Sequence, residues 1–274
     1  MPRTLPRRQF LAGALLAPLL GHAPDAHSDG DLKIGGTGVG LGPLQRIANG
    51  VDAHALRFVP NLGSGGGLKA VAAGAIDIAV SARQLGDKER AAGLFEHELF
   101  RTPIVWAVHD DVPLRRLALN ELEDLYAART PQWADGRPVR LVMRPQSDSD
   151  THFLHAISPS MSAAVALAQA RPGVRVATTD TDATEAIERI SGSLGVTTLG
   201  LMLAERRRVH VLEIDRVEPG LETMLAGRYP YVKRVFIVTR GTPSGKVADM
   251  VARLMSPSAA KLLTTVGCQS ATPA

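Results

Sequence analysis

The run Gly63-Ser64-Gly65-Gly66-Gly67-Leu68-Lys69 sets a hydroxyl among glycines at the head of an apparent helix. After Ala70-Val71-Ala72-Ala73-Gly74, the apolar strand Ile76-Asp77-Ile78-Ala79-Val80-Ser81 follows. The first turn of a helix leaves backbone N–H groups without intrahelical partners, and the summed peptide dipoles make that end partly positive. Glycines let those amides approach a ligand closely, and Ser64 can cap the helix or donate to an anion. The chemistry on offer is capture of a small anion such as phosphate, with no lysine or arginine required. The plainer reading of the same residues is a flexible connector with a serine N-cap, so the rest of the chain has to decide.

Other residue types admit other chemistry. Ser64 or Ser81 could serve as a nucleophile with His109, His152 or His155 as base. However, Gly63-Ser64-Gly65 lacks the Gly-x-Ser-x-Gly spacing of a nucleophile elbow. His152 and His155 are three residues apart with Asp148 nearby, a conceivable ligand set without the His-Glu-x-x-His pattern. The reading adopted is therefore a binding protein, not an enzyme, with no cofactor and no metal. A hydrolase or a metal-binding protein is the distant alternative.

The elements that must position these residues alternate short apolar strands with amphipathic helices, which predicts an α/β chain with largely parallel sheets. Leu32-Lys33-Ile34-Gly35-Gly36 reads as a strand, followed by a glycine-rich turn and a helix from about Pro43 to Ala48. Further strands are expected at Leu56–Val59, Ile104–Val108, Val139–Arg144, 192–199, 209–214 and Val232–Thr239. Helices are expected at Asn120–Tyr126, Thr151–Ile157 and Val247–Met255.

Residues 1–28 read as an export signal. Arg7-Arg8-Gln9-Phe10-Leu11 precedes an apolar run to Leu20 that is too short to span a bilayer, and Ala26-His27-Ser28 offers a cleavage site near Ser28. The arginine pair resembles a twin-arginine leader, an ordinary secretory leader being the alternative. No later segment suggests a membrane span, and no cysteine follows the apolar run to carry a lipid. Removal of the leader lowers the formal net charge from +4 to +2, which is too weak and dispersed for nucleic acid. The basic run Arg206-Arg207-Arg208 reads as a solvated helix end. A single cysteine, Cys268, excludes an intramolecular disulfide and reads as a packing residue, so stability must come from the 45% of residues that are hydrophobic.

In order along the mature chain, these segments resemble the substrate-binding proteins of phosphate ABC importers, within the type II periplasmic binding protein fold. The glycine run with Ala70-Val71 resembles that family's phosphate-loop helix, and Asn120–Tyr126 with Gln132-Trp133 resembles its segment ending in a tryptophan. Leu141-Val142-Met143-Arg144-Pro145 and Ser149-Asp150-Thr151-His152-Phe153 resemble its arginine strand and the helix start after it. Gly195-Val196-Thr197-Thr198, Tyr229-Pro230-Tyr231 with Val235-Phe236-Ile237-Val238, and Ser256–Leu263 resemble its closing segments.

The resemblance implies an α/β architecture of two lobes with a hinge of crossover strands and a ligand in the cleft. Lobe one would comprise 29–108 plus 223–274, and lobe two 109–222. It further implies a monomeric periplasmic protein that delivers its ligand to an ABC permease or a membrane sensor. By resemblance the ligand-binding residues are Gly40, Leu41, Ser64, Gly65, Gly66, Ala82, Arg83, Arg144, Ser149, Asp150 and Thr151, with Arg144 contacting the anion from lobe two.

Three positions depart from the family. Its usual aspartate after the serine of the third strand is Ala82, followed by Arg83. Its glycine between serine and threonine is Asp150, beside Asp148. The loop Thr37–Pro43 lacks the usual threonine shortly before the proline. An ionised carboxylate only accepts hydrogen bonds and so selects protonated oxyanions; Ala82 cannot do this. Asp150 could repel an anion or support the helix from its first turn. The expected function is capture of a small oxyanion, with phosphate as the leading ligand. The alternative is the same fold with a sulfate-like oxyanion, an organic phosphate or a zwitterion.

Overall fold

The structure is a computed structural model that describes residues 31–53 and 55–271; the export segment read at residues 1–28 lies outside them. Among the described residues no helix is long and apolar enough to cross a membrane.

The chain opens with β1 (Leu32–Gly36), α1 (Gly38–Ile47), β2 (Leu56–Val59), α2 (Gly63–Ala72), β3 (Ile78–Ser81) and α3 (Asp87–Ala91). A long strand β4 (Leu94–His109) leads to β5 (Arg116–Leu117), α4 (Leu119–Tyr126), β6 (Arg140–Met143), α5 (Ser149–Ile157) and α6 (Pro159–Ala170). Next come β7 (Arg175–Val176), α7 (Asp180–Arg189), β8 (Ser193–Thr198), α8 (Leu199–Ala204), β9 (Val209–Val211), β10 (Glu213–Ile214) and α9 (Leu221–Leu225). The chain returns through β11 (Val232–Arg240), α10 (Gly245–Leu254), α11 (Pro257–Thr264) and β12 (Gln269–Ser270).

The main sheet runs in the order β2-β1-β3-β11-β4-β8-β6-β7, with β9 and β12 also paired to β4. Its flanks are parallel, at β2-β1-β3 and at β8-β6-β7. Its middle is antiparallel, because β11 and β4 run against each other and against their outer neighbours. The expectation of largely parallel strands holds only at the flanks. β4 does two jobs in sequence: residues 94–103 pair with β11, and residues 104–108 pair with β8.

The apolar interior is divided accordingly. One cluster joins Ile34, Leu44, Ile78, Phe100, Val235, Ile237, Leu254 and Leu263. Another joins Ile104, Trp106, Leu122, Tyr126, Leu141, Met161 and Leu194. Cys268 lies fully buried in the first, as a packing residue, and burial pushes its thiol pKa up. Tyr229 is anchored to the second through its hydroxyl, which donates to the Ile104 carbonyl at 2.7 Å, and it stacks edge-on against Tyr231. Tyr231 in turn meets Trp106 and Phe153 edge-on, so an aromatic row backs the point where β4 and β11 leave the first cluster.

The glycine-rich stretch after β1 is helical, where the sequence reading placed a turn. α1 starts at Gly38, and Gly40 faces β3 so closely that a Cβ there would lie 2.2 Å from Val80 Cγ1 and 2.9 Å from Val235 Cγ1. The glycine serves close helix–sheet packing, and Leu41 beside it is buried in the same core. Gly40→Ala forces a methyl group against two immobile strand side chains. It should cost about 1–3 kcal/mol in urea unfolding, the range for overpacking a tight core. Ligand affinity of the protein that remains folded should be unchanged, and a selective loss of affinity without destabilisation would contradict this placement.

Candidate functional site

A cavity of about 680 Å³ opens over the strand ends, lined by residues that the sequence scatters widely. Thr37 comes from the start of α1; Gly63, Ser64 and Gly65 come from the start of α2; Ala82, Arg83 and Gln84 follow β3. Arg144, Asp148, Ser149 and His152 come from the end of β6 and the start of α5, Thr178 and Asp180 from the start of α7, and Val232 and Lys233 from β11. Three helix N-termini, those of α1, α2 and α7, therefore meet the cavity alongside that of α5, so backbone N–H groups and partial positive charge gather there.

Arg144 is the central cation. It is only 6% exposed, and its guanidinium donates to the Ala177 carbonyl at 3.0 Å, to Asp148 Oδ2 at 2.8 Å and to Asp180 Oδ1 at 3.1 Å. Its Nε, buried among the described residues, has no hydrogen-bond partner. Burial works against the charge, but the nearby Asp180, Asp148 and Asp150 carboxylates outweigh it and hold the Arg144 pKa above its ordinary value. The strand end is fixed from below, since Thr151 Oγ1 donates to the Arg144 carbonyl at 3.2 Å.

The α5 N-terminus is capped by Asp148, whose Oδ1 accepts from the Asp150 N–H at 2.9 Å; the helix begins at Ser149, two residues before the sequence expectation. Asp150 is buried and in ionic contact with Lys233 Nζ, 2.5 Å from its Oδ1, and the same Nζ donates to Ser149 Oγ at 3.2 Å. Asp150 therefore acts through a countercharge on β11, a partner that sequence reading had not seen. The carboxylates of Asp148, Asp150 and Asp180 lie within 4.8 Å of one another, with Arg144 and Lys233 bound among them. This is an ion-pair network, not a bare acidic cluster.

Ser64 lies inside the first turn of α2, whose N-cap is Leu62. It does not cap the helix; its Oγ accepts from the Ala82 N–H at 2.9 Å, which leaves the hydroxyl hydrogen free to donate. No side chain caps α2, and a Cβ at Gly65 would meet nothing within 4 Å, so open cavity lies before this helix end. Gly67 lets the helix press on β1: a Cβ there would lie 2.9 Å from Gly36 Cα.

The sequence-expected residues divide into two groups. Ser64, Gly65, Ala82, Arg83, Arg144 and Ser149 line the cavity; Gly40, Leu41, Gly66, Asp150 and Thr151 do not. Arg83 is on the lining, yet its guanidinium is committed to Glu89 by two hydrogen bonds, at 2.8 and 2.7 Å. The hydrogen bond from Arg83 holds the Glu89 carboxyl down at about 2. Thr37, Asp180 and Lys233 were missed. Thr37 sat in a loop judged only for a threonine nearer Pro43, and Lys233 is one of the charges on a strand read only for its apolar residues.

A mixed α/β chain with parallel flanks, antiparallel central strands and a cavity fed by helix N-termini has the fold of the type II periplasmic binding proteins. Residues 22–262 match the PBP superfamily domain, and the chain belongs to that family. Among solved structures, it is similar to a substrate-binding protein assigned to phosphate ABC transport from Clostridium perfringens, with bound phosphate. That comparison has 16% identity, covers 88% of this chain and 100% of the other, and has a TM-score of 0.71. It is also similar to a high-affinity periplasmic phosphate-binding protein, PfluDING, bound with phosphate, at 13% identity, 88% and 91% coverage and a TM-score of 0.68. A third is an ABC-type phosphate transport receptor from Vibrio cholerae, at 16% identity, 87% and 99% coverage and a TM-score of 0.59. No curated protein sequence matches the chain. Family and fold are those of substrate-binding proteins.

Two outcomes follow from the network. Lys233→Met leaves Asp150 buried without its countercharge and should cost about 3–5 kcal/mol, while Lys233→Met combined with Asp150→Asn should recover most of the loss. Chemical denaturation of the single and double variants checks this; additive losses would show that the contact is not coupled.

Burial, reinforced by the Asp150 charge, raises the Asp148 pKa above its ordinary value, against the pull of Arg144. The folded protein then binds that proton more tightly than the unfolded chain. The resulting stabilisation is full below the ordinary aspartate pKa and is lost as pH rises through the raised one. The stability of wild type minus that of Asp148→Asn should therefore fall with rising pH across that window. A flat or rising difference would contradict it.

Proposed function

We propose that the protein is exported and captures a small oxyanion, with inorganic phosphate as the leading ligand, for an ABC permease or a membrane sensor. The observation that carries this reading is the Arg144 guanidinium on the wall of the same cavity as the uncapped α2 N-terminus and the free Ser64 hydroxyl. Guanidinium, hydroxyl and helix-end amides together are the donors that an oxyanion takes. The phosphate named for the structural neighbours supports the choice among oxyanions. The reading makes the chain a carrier, not an enzyme: Ser64 Oγ, the hydroxyl of the glycine run, meets the Ala82 amide and, among the described residues, no imidazole.

The lobes of this reading are 29–108 plus 223–274 and 109–222, with β4 and β11 as the strands that bend. Saturating phosphate should reduce the radius of gyration in small-angle scattering. A radius unchanged by a ligand that demonstrably binds would mean a preformed cavity.

The binding test is calorimetric titration of wild type and Arg144→Lys with phosphate, sulfate and arsenate. Arg144→Ala would leave Asp148 and Asp180 without their countercharge, whereas lysine keeps the charge and loses the planar fork of donors. Wild type should bind at one site, and Arg144→Lys should bind at least about tenfold more weakly, equivalent to about 1.4 kcal/mol. Absence of binding by all three anions at millimolar concentration would overturn the proposal.

A second reading has its own support in the size of the cavity, about 680 Å³, and in Ile104, Phe153, Val232 and Phe236 on its wall. That volume falls within the range of pockets for small organic ligands. An organic phosphate would place its phosphoryl group at Arg144 and its substituent against these side chains. A thermal-shift screen in which phosphate esters stabilise the protein more than phosphate does would favour it.

A further inference from the structure

Asp180 holds a set of donors that normally belongs to a bound ligand. Its Oδ2 accepts from Thr37 Oγ1 at 2.5 Å and from the Val39 N–H, in the first turn of α1, at 3.2 Å; its Oδ1 accepts from Arg144 Nη2 at 3.1 Å. A hydroxyl, a helix-end amide and a guanidinium are the donor types that an oxyanion would seek in this cavity, and Asp180 lines it. The carboxylate is itself an oxyanion, fixed at the first position of α7 and only 8% exposed.

We propose that Asp180 is a built-in competitor for the ligand of this cavity and so determines which anions it holds and how tightly. The proposal rests on the oxyanion reading given above. A ligand that uses the Arg144 guanidinium fully has to take over the donor held by Asp180 Oδ1. A ligand that leaves Asp180 in place meets it acceptor to acceptor, which is repulsive for a fully ionised oxygen. Where the ligand displaces Asp180, the apparent affinity is reduced by the fraction of molecules in which Arg144 is released, and removal of the competitor restores it.

The position of Asp180 shows why displacing the competitor is costly. A Cβ at Gly38 would lie 3.2 Å from Asp180 Cβ, so the starts of α1 and α7 abut at this residue. Thr179 holds the start of α7 by accepting from the Asp182 N–H at 3.0 Å. Two partly positive helix ends thus meet at one carboxylate. A purely structural cap would have the same contacts, so the test must read affinity and not stability alone.

The test is calorimetric titration of inorganic phosphate and sulfate into wild type, Asp180→Asn and Asp180→Ser, each confirmed as folded by circular dichroism. It is paired with a crystal structure of wild type grown with phosphate. Both variants should bind phosphate at least tenfold more tightly than wild type, and sulfate should gain at least as much, since it brings no proton for a facing acceptor. In the wild-type complex a phosphate oxygen should stand at Arg144 Nη2, with Asp180 Oδ1 beyond hydrogen-bond distance from it.

Variants that bind phosphate no more tightly than wild type would overturn the competitor role while leaving the oxyanion function intact. A phosphate complex that keeps both the Arg144–Asp180 and the Thr37–Asp180 bonds would do the same. If neither variant folds, the wild-type complex decides. If no form of the protein binds phosphate or sulfate, the oxyanion reading and the competitor fall together.

Discussion

A guanidinium out of contact with water needs anions around it, and the placement of Arg144 organises the rest of the cavity. Taking a charged group out of water costs several kcal/mol unless hydrogen bonds and countercharge replace the solvent. Here Asp148, Asp180 and the Ala177 carbonyl do so, each from a different stretch of chain. Asp148 can reach because it caps α5, and Asp180 can reach because it begins α7. The ends of two helices are therefore tied to the end of one strand through a single side chain. Thr151 closes the loop by bonding the Arg144 carbonyl.

A second tie reaches the same helix from the returning strand. Lys233 lies on β11 opposite Thr102 of β4 and contacts Asp150 and Ser149 at the start of α5. β11 belongs to the packing of the first apolar cluster through Val235 and Ile237, whereas Leu154 of α5 packs in the second. A buried charge pair thus links segments whose hydrophobic interiors are separate. Buried pairs of this sort add little net stability over an apolar pair of similar volume, but they punish misplacement of either partner. Their effect is geometric: the α5 N-terminus is held at a set distance from β11.

The fold was legible because its signals are periodic and local: apolar strands of four to six residues, helix stretches between them, and a glycine run whose hydroxyl faces a cavity. Ser64 stood out through its glycine neighbours at a helix start, whereas Arg144 and Ser149 were named by resemblance to the family; all three line the cavity. What could not be read depended on contacts between distant segments. Gly40 looked like a loop glycine, yet it lies within α1 and has no side chain because Val80 leaves no room for a Cβ. Arg83 looked available, yet Glu89, six residues on, holds it by two hydrogen bonds. Asp150 could be read either as repelling an anion or as supporting the helix from its first turn, and neither reading pointed to Lys233, 83 positions later, which lies against it. Residues 94–103 of β4 escaped notice because charged residues interrupt their apolar pattern and Pro103 lies within the strand, although β11 pairs along their length.

The balance of charge in the cavity decides what kind of recognition is available there. Arg144 and Lys233 are set against Asp148, Asp150 and Asp180, so the central network carries more acidic than basic groups. Arg83 and Arg234 on the wall are held by Glu89 and Glu98, so within this network attraction for an anion cannot come from excess positive charge. It has to come from directed donors: the α2 amides, the Ser64 hydroxyl and the Arg144 guanidinium on the cavity wall. Directed hydrogen bonds lose strength steeply with distance and angle, whereas a diffuse field does not. On the oxyanion reading proposed above, a cavity built this way would discriminate by shape and by protonation of the ligand, and its acidic groups would sharpen that choice by repelling any oxygen that arrives without a proton or a donor of its own.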